Sequence, residues 1–368
     1  MKRILFAAIT AALVVAPLFS GGEASAQDYT EGWINLFDGE TLFGWQVLGD
    51  TEWEVADGTL SCKRGTGGWL ATTGQWGDFE LTMKMRVAPK NKTALVVRAP
   101  LSGHPTENGS VIIPIEAPES GYEWQDVSVI VEGNAVSAKV NGEDVAVASP
   151  AHAVGYIGIL YQGARVEASD IKLRPLAMKP IFNGESLDGW NIIPGHKSVF
   201  TVEDGAIRIQ DGNGQIETDG LYKNFVLQLD IFSSGDEKPL NSGVFFRGPK
   251  GVFWKGYESQ VRNEWDGERT NPVDYGTGGL YGVQNARKVI PSEKEWFYKT
   301  ILCNGNHFAV WINGYQVSDL VDTRPPVDDG NAKAGYVGEA GTIHLQGHDP
   351  TTDLSFKNIR LQEYPSNE

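Results

Sequence analysis

The chain states one plan twice, and that repetition limits its fold more than any other feature. Phe37-Asp38-Gly39-Glu40-Thr41-Leu42-Phe43-Gly44-Trp45 returns as Phe182-Asn183-Gly184-Glu185-Ser186-Leu187-Asp188-Gly189-Trp190. Further echoes follow in order: Asp57-Gly58 with Asp204-Gly205, Arg98-Ala99-Pro100 with Arg247-Gly248-Pro249, Glu123-Trp124 with Glu295-Trp296, and Asn141-Gly142 with Asn313-Gly314. Gly155-Tyr156-Ile157-Gly158 pairs with Gly335-Tyr336-Val337-Gly338, and Asp170-Ile171-Lys172-Leu173 with Asn358-Ile359-Arg360-Leu361. A period this long is too great for a solenoid, so two related domains are expected in tandem.

Each domain reads as β. Phe79 to Val87, Val127 to Val131, Phe225 to Ile231 and Phe308 to Ile312 are short runs rich in β-branched and aromatic residues, and long helix-period stretches are missing. Alternation with period two marks strands with one buried face. Asn-Gly at 141–142, 304–305 and 313–314 suits hairpin turns. Many short strands with Gly-rich turns imply antiparallel sheets packed as a sandwich or barrel. The expected units are 29–176 and 179–364, joined near Pro175 to Lys179.

Lys2-Arg3, the apolar run Ile4 to Phe19 and the closing Ala24-Ser25-Ala26 have the form of a signal peptide over 1–26, so export to the periplasm or medium is expected. The apolar run is short for a membrane anchor. Net charge is −16 over the whole chain, and losing Lys2, Arg3 and Glu23 makes it more negative by one. No Lys/Arg cluster occurs, which excludes a nucleic-acid partner. Cys62 and Cys303, one per domain, read as two separate buried thiols.

The copies differ in one interval. Trp124 to Asn141 and Trp296 to Asn313 are both 17 residues, so those strands share a register. Arg98 to Trp124 is 26 residues but Arg247 to Trp296 is 49, giving the second copy 23 more. That interval contains Tyr257-Glu258-Ser259-Gln260-Val261-Arg262, Trp265 and Gly278-Gly279-Leu280-Tyr281-Gly282. A strand over Tyr257 to Arg262 puts Glu258, Gln260 and Arg262 on one face, either solvated or lining a wet groove. The second copy also carries His344-Leu345-Gln346-Gly347-His348-Asp349, where the first reads Gly158-Ile159-Leu160-Tyr161-Gln162-Gly163.

These residues carry a resemblance to the 3-keto-disaccharide hydrolase domain family. Phe182 to Trp190 resembles its opening motif. Ser242-Gly243-Val244-Phe245-Phe246-Arg247 is similar to its Ser-Gly-Ile-x-x-Arg strand, and Tyr257-Glu258-Ser259-Gln260 to its Tyr-Glu-x-Gln. Gly278 to Gly282, Leu345-Gln346-Gly347-His348 and Asn358-Ile359-Arg360 resemble three further motifs. The N-terminal copy resembles the family only in part and looks degenerate. The resemblance implies an all-β chain of two concanavalin A-like jelly-roll sandwiches in tandem, each with a concave sugar-binding face.

It also implies a carbohydrate substrate, an oxidised disaccharide or glycoside. A ketone at C3 acidifies the C2 proton, so one base, an enolate stabiliser and a proton donor suffice for β-elimination at C1, and hydration completes hydrolysis. On this reading His348 is the base and Glu258 orients it or protonates the leaving oxygen, with the reverse assignment open. Arg247 and Tyr281 stabilise the enolate. Gln260, Gln346, Arg262 and His344 supply hydrogen bonds, while Tyr257 or Trp265 supplies a ring for the sugar face. Trp45, Trp190, Trp124 and Trp296 read as core anchors. Asp266, Asp274, Asp349 and Asp353 offer oxygens of the kind Ca²⁺ takes, but no loop has ligand spacing, so no metal or other cofactor is expected. The rival readings are a lectin-like module without catalysis and a structural cell-surface protein.

Overall fold

A computed structural model of the protein describes residues 32–235 and 238–365, and the leader expected at 1–26 lies outside the described residues. Every regular element among the described residues is a β-strand. The first copy is a sandwich made from one 11-stranded sheet that bends over itself. The long strand Thr59–Thr72 belongs to both layers: Leu60 to Cys62 pair with Val166–Pro175, and Gly68 to Ala71 pair with Tyr156–Tyr161. Gly65, Gly67 and Gly68 all take positive φ at the bend, where a Cβ on Gly65 would lie 2.1 Å from the Asp50 carbonyl oxygen. Only glycine fits there without strain.

The second copy separates its layers. One sheet has eight strands, with Phe225–Ser233 and Trp296–Asn304 near its middle. The other has five, in the order Trp190–Ile192, Gly214–Thr218, Thr342–Gly347, Ser242–Gly248 and Tyr257–Val261. Ile207, Phe225, Ile301, Phe308, Val244, Phe246, Ile343 and Leu345 fill the space between them. The all-β, jelly-roll expectation therefore holds for both copies.

Several echoes have a common cause. Trp45 and Trp190 are buried, and each indole donates to a backbone carbonyl nine residues earlier, on Leu36 and Ile181. Asn141 and Asn313 turn hairpins at positive φ, and each side-chain oxygen accepts a backbone N–H, from Asp126 and Tyr298. Cys62 and Cys303 are free and buried. Trp124 and Trp296 are not core anchors. They sit at strand starts on the outer face, Trp124 under Arg86 and Trp296 under Lys357, with Trp296 43% exposed. The Gly335 to Gly338 echo is a correction too. Gly155 bridges Trp76 as Gly341 bridges Tyr222, so Gly341 to His344 is the true counterpart of Gly155 to Gly158.

The copies pack back to back. Val226, Leu302, Ala309 and Trp311 of the eight-stranded sheet join the core of the first copy, and Trp311 meets Trp76 with ring centroids 5.6 Å apart. This contact leaves the outer face of the five-stranded sheet on the far side of the second copy. Among the described residues no helix is long and apolar enough to cross a membrane.

Candidate functional site

Strand alternation sends every second residue of the five-stranded sheet away from the core. Register then sets those residues in two rows. One row is Gln215, Gln346, Gly243 and Gln260; the next is Glu217, His344, Phe245 and Glu258. The same register in the first copy gives Trp69, Leu160, Ala94 and Pro114, then Ala71, Gly158, Val96 and Ile112. Every polar side chain in the second copy's rows is thus replaced by an apolar residue in the first. The Glu258 strand itself is not extra, since Val111–Glu116 is its counterpart. The added length comes after it, in residues 262–295 against 117–124.

Glu258 is the chemical centre of this face. It leans over Gly243, where a Cβ would lie 2.5 Å from its Oε1. The residue is only 5% exposed and its Oε2 has no hydrogen-bond partner. Burial pushes its pKa up to about 8; Asp274 adds to the rise, while Lys333, Trp254 and Lys299 oppose it. At neutral pH the carboxyl therefore holds its proton.

Lys299 lies beneath the strand, in the core. It is fully buried, and its Nζ donates to the carbonyl and hydroxyl of Ser259 at 3.0 Å and to the Gln260 carbonyl at 2.8 Å. Burial lowers its pKa to about 7. By the shared Trp124/Trp296 register the first copy has Val127 in this place.

Loops form the rim. Trp254 N donates to Gln215 Oε1 at 2.7 Å and Gly251 N to Glu217 at 2.9 Å, so the segment 249–255 lies over that end of the rows. Tyr281 N donates to the Glu258 carbonyl at 2.9 Å, and its ring packs on Tyr275. Lys333 Nζ sits 3.4 Å from the Trp254 ring centre and 4.3 Å from that of Tyr281, with no hydrogen bond. Gln260 and Asn241 both donate to Asp274 Oδ2 at 3.2 Å. Asn241 also approaches His348 Nε2 at 3.3 Å, while His348 Nδ1 meets Asp349 at 2.9 Å. Hydrogen bonds from Thr351 and His348 outweigh burial and hold the Asp349 carboxyl below the usual range. An ionised Asp349 keeps the Nδ1 proton in place and leaves the Nε2 lone pair facing Asn241.

Glu258, Gln260, Gln346, Tyr281 and His348 thus gather on one side of one sheet. Glu258 and His348 sit two strands apart and, because His344 is the residue in register with Glu258, four residues along, on the order of 16 Å between backbones, with Glu258 buried and His348 43% exposed at the side chain. Arg262 caps the same edge, donating to the Pro239 carbonyl and pairing with Glu264.

Three expected residues fall elsewhere, and a fourth, His344, keeps its place in the row but is covered. Arg247 is 1% exposed and spends its donors on the carbonyls of Lys223, Val337 and Gly305, a structural clamp at positive φ that Arg98 repeats on Gly77 and His152. Tyr257 has the opposite parity to Glu258, so it enters the core, stacks on Phe246 and donates to Asp322 at 2.6 Å. His344 is wholly buried under Gly248, at 2.5 Å from the Thr342 hydroxyl and 3.3 Å from Gln215. Burial lowers its pKa to about 4, so its 3.5 Å approach to Glu217 joins a neutral imidazole to a carboxylate and is no salt bridge. Trp265 packs under Arg269 in the loop beyond the strand. Among the described residues no three His, Cys, Asp or Glu side chains are grouped to hold a metal. Lys333, Lys299, Asn241, Gln215, Glu217 and Trp254 were not foreseen. Only Lys299 carried a signal, a lysine where the matched strand has valine.

Fold and site define a tandem β-sandwich protein in which one copy carries a polar face with a buried acid and the other an apolar one. The chain belongs to the 3-keto-alpha-glucoside-1,2-lyase-like domain family, whose model matches it twice, over residues 32–174 and 177–362. Solved structures similar to it include two from Parabacteroides distasonis, provisionally named glycosyl hydrolases. One is 22% identical over 51% of this chain and 94% of its own, with a TM-score of 0.42. The other is 25% identical over 51% and 99%, with a TM-score of 0.43. The carbohydrate binding module CBM66 from Bacillus subtilis is 16% identical over 48% and 96%, with a TM-score of 0.34. No curated protein is similar to the chain.

Proposed function

We propose that the C-terminal copy is an exported lyase that cleaves a 3-keto glycoside by elimination across C1 and C2, with hydration of the product completing net hydrolysis. The observation that carries this reading is a set of buried polar atoms without partners on one face: Glu258 Oε2, Gln346 Oε1, Gln215 Nε2 and Asn241 Oδ1. Such atoms call for bound water or a polar ligand. A sugar hydroxyl both donates and accepts, so it suits a mixed set of this kind.

The roles follow from protonation and burial. His348, held through Nδ1 by Asp349, takes the C2 proton. Glu258, protonated at neutral pH, gives its proton to the leaving oxygen at C1. An opposed carboxylate pair is not needed, because the ketone makes the C2 proton acidic enough for elimination, so the oxocarbenium-like charge that ordinary glycosidases stabilise at C1 need not develop. The family's description supports the substrate class. No metal or other cofactor is assigned to these steps.

Incubation with a 3-keto-α-glucoside, followed by proton NMR, tests the reading. Release of the aglycone together with a C1=C2 enone is the expected result, and the plain glucoside stays intact. Tight binding of either sugar without product would favour the lectin-like alternative and overturn the catalytic one.

A further inference from the structure

We propose that the ammonium of Lys333 is a catalytic group that binds the C3 oxygen of the sugar and carries the enolate charge. The inference rests on the elimination proposed above and fills the place that Arg247, tied to backbone carbonyls, leaves open.

The geometry has three parts. First, the amine is buried and makes no hydrogen bond, although an ammonium has three donors. Second, it is fixed in place by two rings, Trp254 at 3.4 Å and Tyr281 at 4.3 Å. Ring faces favour a cation but accept no ordinary hydrogen bond from it, so the donors are held in position and unspent. Third, the backbone of both aromatic residues is tied to the rows, the Trp254 N–H donating to Gln215 and the Tyr281 N–H to the Glu258 carbonyl. The Lys333 stem lies along Gly282, where a Cβ would come within 3.0 Å of its Cγ. The neighbouring lysines are occupied: Lys255 pairs with Asp329 at 2.8 Å and Lys299 holds Ser259 and Gln260. Burial lowers the Lys333 pKa, and the nearby Glu258 and Asp274 carboxyls oppose that fall. In the first copy the matching segment, residues 146–155, has no Lys or Arg.

The step balances without an oxidant. The base takes the C2 proton, the C2–H pair forms C2=C3, and the C3=O π pair moves onto oxygen beside the Lys333 ammonium. When C3=O re-forms, the C2=C3 pair becomes C1=C2 and the C1–O pair departs on the leaving oxygen, which takes the Glu258 proton.

Two assays separate this claim from the reading beneath it. The first follows turnover of a 3-keto-α-glucoside. The second follows deuterium uptake at C2 of 3-keto-1,5-anhydroglucitol in D2O, a sugar with no leaving group, which reports enolate formation alone. Lys333→Met is expected to slow both by about 10²- to 10³-fold with KM within about threefold of wild type, and Lys333→Arg to recover part of the loss. Thermal melting checks the fold, and Lys333→Gln carries the same test should the methionine variant not hold it. Exchange within threefold of wild type, or a loss confined to KM, overturns the role of Lys333 while the elimination stands. A wild type that neither exchanges nor eliminates overturns both.

Discussion

At neutral pH the Glu258 carboxyl keeps its proton because the strand that presents it also removes it from water. Its pKa near 8 lies above that of a carboxyl in the unfolded chain, about 4.3. The folded state thus binds the extra proton between those values. The associated stability is complete below about pH 4 and is lost as pH rises through 8. Glu258→Gln, which has no proton to lose, should match the wild type in urea unfolding at pH 4 and exceed it by up to about 5 kcal/mol at pH 9. Its turnover should fall at least about 100-fold. A wild type that gains stability over the variant between pH 5 and 9 would contradict the assignment. Glu258 and Gln260 were legible because they share a face in a short strand. Arg247 misled because motif membership does not say what a side chain touches, although Arg98 in the depleted copy already hinted at a shared structural task. Lys333 gave no signal: it lies in a loop, and its two rings come from segments distant in sequence.

At the scale of the strand, the face depends on small residues as much as on polar ones. Gly243 has Ala94 as its counterpart, and the methyl group that alanine adds would fall on the Glu258 carboxyl. Because the obstacle is the end of a flexible side chain, the sheet should survive. Gly243→Ala is expected to keep its melting temperature within a few degrees and lose most of its turnover; full activity would show that Glu258 need not rest there. Alternation in the sequence made strands and faces readable. It could not give the two rows, because rows depend on which strands are neighbours, and Gly214–Thr218, Thr342–Gly347 and Ser242–Gly248 are far apart in the chain. Nor could spacing show that the longer interval adds residues after the Glu258 strand rather than the strand itself.

The whole molecule joins an apolar copy to a polar one through a shared core. Trp311 is 2% exposed, packs on Trp76 and donates to the Asn35 carbonyl at 3.0 Å. Arg287, from the longer interval, reaches Asp38 of the first copy's opening motif at 2.7 Å. The first copy therefore braces the segment that bears Tyr281. Calorimetry of the full chain should show one cooperative transition, and Trp311→Ala, which opens a cavity costing about 3–5 kcal/mol, should split it in two. Two transitions in the wild type would mean the copies fold independently. Repetition made the tandem plan plain in the sequence, but the packing of one copy on the back of the other left no periodic trace.

Hydrogen–deuterium exchange of the full chain, with and without a 3-keto glycoside that is not turned over, locates the site directly. Slower exchange confined to residues 214–218, 241–262, 274–284 and 331–349 is the predicted footprint, with 92–99 and 156–161 unchanged. Protection of the first copy's strands instead, or of neither copy at saturating sugar, would contradict a single polar site on the second.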